Sequence, residues 1–234
     1  MAQRKRTDAA DRATLTPRAV AEGALALADT AGLEAVTIRR LAQELGVTPM
    51  ALYWHFRSKD ELLDGMADRL HEMVDAQARR PAGEWQARLR ALLESMVAVL
   101  RTRPRAAPLV AARRTTSESG LRTTEAMLDA LREAGFAPTE ATQVARHALS
   151  TVTDLVVRAR EGAAPAEPGE ADERRRVRGF LESLPPARYP RLVEAAAPLS
   201  ACDDPDSHYA FGLDLLMSGV EEMAARRGGR VKGA

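Results

Sequence analysis

Apolar residues recur every three or four positions along most of the chain, in runs separated by proline, glycine and polar residues. That period is the mark of amphipathic helices. Val20, Ala24, Leu27 and Ala31 form the first run. Thr16-Pro17 ahead of it pairs a capping residue with proline at the first helical position, and Gly32 offers a stop. Ile38, Leu41, Ala42 and Leu45 predict a second helix that begins at Thr37 and ends at Gly46. Thr48-Pro49 repeats the start signal for a short third helix through Leu52, Tyr53, Trp54 and Phe56. Ser58, with Glu61 three residues on, makes a capping box before a long helix through Leu62, Leu63, Met66, Leu70, Met73 and Val74.

Pro81-Ala82-Gly83 breaks the pattern, and Trp85, Leu89, Leu92, Leu93, Met96, Val97 and Leu100 resume it. Pro104 and Pro108 interrupt the next stretch. Further helices are expected over about 119–134, closed by Gly135, and over about 138–161. Residues 162–170 read as a flexible loop, 171–183 as one more helix, and Pro185, Pro186, Pro190 and Pro198 predict an irregular stretch. Asp204-Pro205 opens the last helix, through Phe211, Leu215, Leu216, Val220 and Met223, and Gly228-Gly229 is expected to end it. No segment alternates with period two for long enough to form a strand. The predicted fold class is all-α: an N-terminal three-helix helix-turn-helix domain over 1–60, with a mobile arm over about 1–14, joined to a larger helical domain over 61–234.

Composition narrows the function. The chain has 234 residues, 45% of them hydrophobic, which is ample to bury a core and excludes a mainly disordered chain. Its net charge of +1 argues against a non-specific architectural DNA binder, which needs a far more positive chain. No run of about 18 apolar residues predicts a membrane span, and the N-terminus lacks the apolar core of a signal peptide. A single cysteine, Cys202, can form neither an internal disulfide nor a multi-cysteine metal site, so a cytoplasmic setting is expected. His55, His71, His147 and His208 are scattered, and no phosphate loop or nucleophile elbow appears. The reading is of a protein that is not an enzyme, with no cofactor and no metal; a helical small-molecule enzyme is the alternative.

The informative chemistry lies in 37–59. A helix, a tight turn at Gly46 and a second helix have helix-turn-helix spacing, in which the second helix enters the DNA major groove. Leu41, Leu45, Val47 and Leu52 supply a small core, and Ala42 is small where the helices cross. Tyr53, Trp54 and His55 are consecutive, so one helix cannot bury all three. Either a neighbour covers the rings or a partner does, and a phosphate backbone suits Tyr53, His55 and Lys59. Thr37 and Thr48 at helix starts add hydroxyls and backbone N–H groups. Arg39 has the reach for a guanine edge or a phosphate. Pro49, Met50 and Ala51, at the tip of the third helix, offer apolar contact to thymine methyls.

These residues carry a family resemblance. Residues 16–63, through the runs Leu41-Ala-Gln-Glu-Leu-Gly-Val and Leu52-Tyr-Trp-His-Phe-Arg-Ser-Lys-Asp-Glu-Leu-Leu, resemble the DNA-binding domain of tetracycline-repressor family regulators. The Tyr-Trp-His version resembles the subgroup nearest the tetracycline repressor itself. Gly83-Glu-Trp-Gln, Gly135-Phe136 and the run from Phe211 to Glu221 are similar to that subgroup's effector domain. The resemblance implies a homodimer on a palindromic double-stranded operator, released by a small hydrophobic or drug-like effector. Repression is the family norm; activation is the alternative. The DNA contacts it implies are Thr37, Arg39, Thr48, Pro49, Met50, Ala51, Tyr53, Trp54, His55 and Lys59. The tip Thr48-Pro-Met-Ala lacks the tetracycline repressor's base-reading glutamine, so its operator sequence does not carry over.

In the larger domain, Met96, Leu100, Val110, Met127 and Leu131 are expected to line an effector cavity, although each alone suits an ordinary core. His147, Thr151 and Asp154 share one polar seam, with three placements open: the cavity, the dimer seam or solvent. Arg101, Arg103, Arg105, Arg113 and Arg114 read as a solvated basic face. Arg113 turned inward would favour an anionic or phenolate effector. By collinear matching, the tetracycline repressor's magnesium-ligating histidine and a neighbouring threonine fall at Val110 and Arg113. The effector is therefore not expected to be a magnesium–tetracycline chelate. Gly212 and Gly219 lie on one stripe with Leu215, Leu216 and Met223 nearby, and Val144, Ala148, Val152 and Leu155 recur on an earlier helix. These predict a four-helix dimer interface, with intrachain packing as the alternative.

Overall fold

Thr16 caps α1 (Pro17–Ala31) by accepting a hydrogen bond from the Ala19 backbone N–H at 3.1 Å. Thr37 does the same for α2 (Ile38–Glu44), and Thr48 for α3 (Pro49–Tyr53). A short 3₁₀ turn (Leu33–Ala35) joins α1 to α2. Gly46, at φ 65°, makes the left-handed turn between α2 and α3 that a side chain would resist. The computed structural model describes residues 15–77, 83–113, 116–163, 169–201 and 204–231. The expected N-terminal arm, Arg114 and Cys202, with most of the expected 162–170 loop, lie outside the described residues.

The third helix stops at Tyr53 rather than running through Phe56, so Phe56 turns inward and is buried. Its ring lies against α4 (Lys59–Gln77) at Gly65, where a β-carbon would sit 2.5 Å from Phe56 Cε1. Ser58 accepts from the Glu61 N–H at 3.1 Å, while the Glu61 carboxylate takes the Arg57 N–H at 2.6 Å. The expected capping box is thus present with its return bond shifted by one residue.

The body comprises α5 (Trp85–Leu100), α6 (Pro108–Ala112), α7 (Glu118–Glu133), α8 (Pro138–Ala163) and α12 (Pro205–Val231). α4 packs on α1 along one side and on α5, α6 and α7 along others, so one helix belongs to both the reading head and the body. Its Leu62, Met66, Leu70 and Val74 are all buried. The proline-rich stretch is not irregular throughout: α9 (Glu170–Glu182) is followed by two short helices, α10 (Pro190–Glu194) and α11 (Ala196–Leu199), which pack on one another and on α9. Pro190 sits at a first helical position, where its missing N–H costs nothing. α12 also continues through Gly228-Gly229 to Val231. Glycine lowers helix stability by about 1 kcal/mol without forcing a stop. No strand is present among the described residues, and none of their helices is long and apolar enough to cross a membrane.

Candidate DNA-reading surface and effector region

The small core of the head is as expected: Leu41, Ala42 and Leu52 are buried, with Leu45 and Val47 half-buried around them. That arrangement turns the other faces of α2 and α3 outward. Thr37, Arg39, Thr48, Pro49, Met50, Tyr53, Trp54 and Lys59 are exposed, and Ala51 and His55 are half-buried. Tyr53 is 46% exposed and Trp54 84%, so the subunit itself does not cover these rings. Arg40 and Arg57 are exposed cations in the same segment that the sequence reading passed over. Their signal was charge without an apolar role in a segment already read as facing DNA.

Arg101, Arg103, Arg105 and Arg113 do not form a free solvated face. Arg101 pairs with Asp206 at 2.8 Å and lies 5.3 Å from the centre of the Tyr209 ring. Arg103 reaches Glu22 at 2.8 Å and also binds Asp29. Arg105 donates to the Thr30 carbonyl at 2.7 Å, closing the last turn of α1. Arg113 binds Asp60 at 2.8 Å and Asp64 at 3.2 Å on the first turns of α4. The hydrogen bond to Asp60 holds the Arg113 guanidinium above its ordinary pKa. Arg113 thus faces the head and not a cavity, which removes the basis for expecting an anionic effector.

Met96, Leu100, Val110, Met127 and Leu131 are buried, contributed by α5, α6 and α7 to the main core. His147 and Thr151 lie elsewhere. With Val144, Leu155, Gly212, Leu215, Leu216, Gly219 and Met223 they line an open, mostly apolar groove of about 740 Å³ between α8 and α12. Asp154 is exposed and pairs with Arg158 at 2.8 Å. Two expected interface residues, Ala148 and Val152, are instead buried within the subunit, because they face the core side of α8. Gly212 serves intrachain packing: a β-carbon there would collide with the Leu155 side chain. Gly219 has open space around it. Phe211, 70% exposed, and Leu215, 66% exposed, leave an apolar stripe on α12 with no intrachain cover. Phe211 was legible as part of an apolar run but not as a surface residue.

His71 on α4 is only 4% exposed, and its Nδ1 has no hydrogen-bond partner. Burial pulls its pKa below the ordinary 6.5, against a smaller opposing pull from Asp68. Between the folded pKa and 6.5 the unfolded chain binds a proton that the folded chain refuses. Stability is therefore expected to fall as pH drops below about 6.5. Thermal melts at pH 7.5 and 5.5 check this: His71→Leu should lose less Tm over that interval than the wild type.

Exposed aromatics and capped helix starts on a helix-turn-helix define a DNA-binding transcriptional regulator. Comparison with known proteins agrees. Residues 20–66 match the family model "Bacterial regulatory proteins, tetR family", and residues 78–224 match "Tetracyclin repressor-like, C-terminal domain". The chain belongs to the tetracycline-repressor family, and it is a ligand-responsive DNA-binding repressor. It is 29% identical to the HTH-type transcriptional repressor DrrR1 of Streptomyces coeruleorubidus, over 96% of this chain and 84% of that protein. It is 32% identical to the class A tetracycline repressor of transposon 1721 from Escherichia coli, over 88% of this chain and 90% of that one. The crystal structure of ActR from Streptomyces coelicolor superposes with a TM-score of 0.73 at 26% identity, covering 91% of this chain and 99% of that one. These relatives are transcriptional regulators rather than enzymes.

Proposed function

We propose that the chain works as a cytoplasmic homodimer that holds a palindromic operator until a small, apolar effector enters the body. The observation that carries the reading is the exposed Tyr53-Trp54 pair on a helix-turn-helix whose own core is complete without it. The ten residues expected at DNA act in two ways. Thr37, Thr48, Tyr53, Trp54, His55 and Lys59 hold phosphates, while Arg39 and the Pro49-Met50-Ala51 tip face base edges. The uncovered α8–α12 groove, with Phe211 and Leu215 beside it, is the surface that a second copy covers. The head is taken as 1–60 and the body as 61–234, with α4 running between them as the lever.

The core around Met96, Leu100, Val110, Met127 and Leu131 is the proposed effector site. A structure of ActR contains actinorhodin and matches this chain at 26% identity with a TM-score of 0.73, which favours a polycyclic effector of similar character. Valine cannot ligate a metal, and Arg113 is engaged by Asp60 and Asp64, so a magnesium chelate does not fit. The effector acts only through its differential affinity for two head spacings.

Fluorescence anisotropy with a palindromic fragment from the DNA flanking the coding sequence, against a scrambled duplex at the same salt, tests the reading. Preference for the palindrome by roughly 1,000-fold or more is expected. Equal affinity for both duplexes would overturn it.

A further inference from the structure

Among the described residues, the buried polar or charged side chains are His71 on α4 and Thr123 on α7. No charged group is buried with them. Their helices, α4 and α7, pack against one another. Asp75, one turn after His71, binds Arg122 at 2.8 Å, and Arg122 immediately precedes Thr123. The Thr123 hydroxyl donates to the Ser119 carbonyl at 2.9 Å, which spends its hydrogen and leaves its lone pairs. The His71 Nδ1 has no partner at all. A buried polar atom left unpaired costs stability, and a well-packed core replaces it with carbon unless something else selects for it. Met66, Met96 and Met127, from α4, α5 and α7, are buried in the same core. Methionine side chains repack readily, so helices lined with them can admit a guest.

We propose that His71 and Thr123 are the polar contacts of an effector that enters between α4, α5 and α7, and that this effector is a neutral aromatic alcohol. The inference rests on reading the body as the effector-binding domain. Its chemistry follows from the two atoms on offer. Burial keeps His71 neutral, and with Nδ1 as the unprotonated nitrogen both it and the Thr123 oxygen accept hydrogen bonds. The guest must therefore bring O–H donors. The buried Met66, Met96 and Met127 offer apolar contact, which calls for an apolar ring to carry those donors. With no buried cation or anion to meet it, a charged effector would leave its own charge unpaired.

Calorimetric titration with 2,6-dihydroxynaphthalene and with 2,6-dimethoxynaphthalene, which has the same ring and no O–H, tests the site. The wild type should bind the diol at least about tenfold tighter than the diether. His71→Leu and Thr123→Val should each erase most of that preference, leaving diether binding and operator affinity unchanged. Should His71→Leu fail to fold, the isosteric Thr123→Val carries the same test. A wild type that binds neither probe, or binds both alike, overturns the proposal, as does a variant that keeps the preference. Operator titration on the same protein separates the two claims. Intact operator preference without diol preference defeats the effector chemistry alone, whereas loss of operator preference defeats the regulator reading.

Discussion

Trp54→Ala and Tyr53→Ala are each expected to weaken operator binding about 10- to 100-fold, the equivalent of removing one charge-assisted hydrogen bond. Folding should be untouched. Trp54 touches so little of its own subunit, at 84% exposed, that its removal deletes almost no intrachain packing. Substitutions at such positions usually change stability by less than about 0.5 kcal/mol. The head's core of Leu41, Ala42 and Leu52 lies on the opposite side of the two helices. Anisotropy titrations at fixed salt, paired with thermal melts, separate weakened DNA binding from unfolding. Phe180→Ala is the control, because Phe180 is also an exposed ring but lies on α9, outside the head. Unchanged affinity in both head variants would remove the assigned contacts, and a large fall in Tm would make the rings structural.

Leu215→Glu should do more damage to function while leaving the subunit folded. Leu215 is 66% exposed and lines the α8–α12 groove, so within one chain its replacement meets mostly water. In a two-fold interface a single substitution appears twice, and each carboxylate is buried without a partner. At several kcal/mol for each unpaired buried charge, the dimer dissociation constant should rise by roughly 1,000-fold or more. Light scattering should then report a monomer, with helical content retained. Operator affinity should collapse as well, because one head makes half the phosphate contacts of two. A variant that stays dimeric would place the interface elsewhere on the body.

The reading head was largely legible before any coordinates. Thr16, Thr37 and Thr48 each cap a helix through a bond that spans three residues, and such bonds depend on local order alone. Three successive aromatics cannot all be buried by one helix, but the sequence left open whether a neighbouring helix covers them, and only the fold leaves Tyr53 and Trp54 bare. The arginine segment shows the opposite case. Arg103 and Arg113 find partners 49 to 81 residues away, and nothing in their own neighbourhood says which. A basic cluster therefore read as a solvated face, when Arg103, Arg105 and Arg113 tie this segment to α1 and the start of α4. Ala148 and Val152 failed for a related reason. Period fixes which residues share a stripe on α8, but not whether that stripe meets the chain's own core or another molecule.

The amino-acid sequence by itself determined the all-helical class, the helix starts of the head and the turn at Gly46, because each follows from interactions within a few residues. Tertiary structure alone decided that Phe56 folds under Gly65, that Tyr53 and Trp54 stay uncovered, that Arg103, Arg105 and Arg113 tie the body to α1 and the start of α4, that His71 is sealed in the core without a partner for Nδ1, and that Phe211 and Leu215 stay bare. Those outcomes depend on which helix arrives beside which, and burial is a property of that meeting rather than of any one segment.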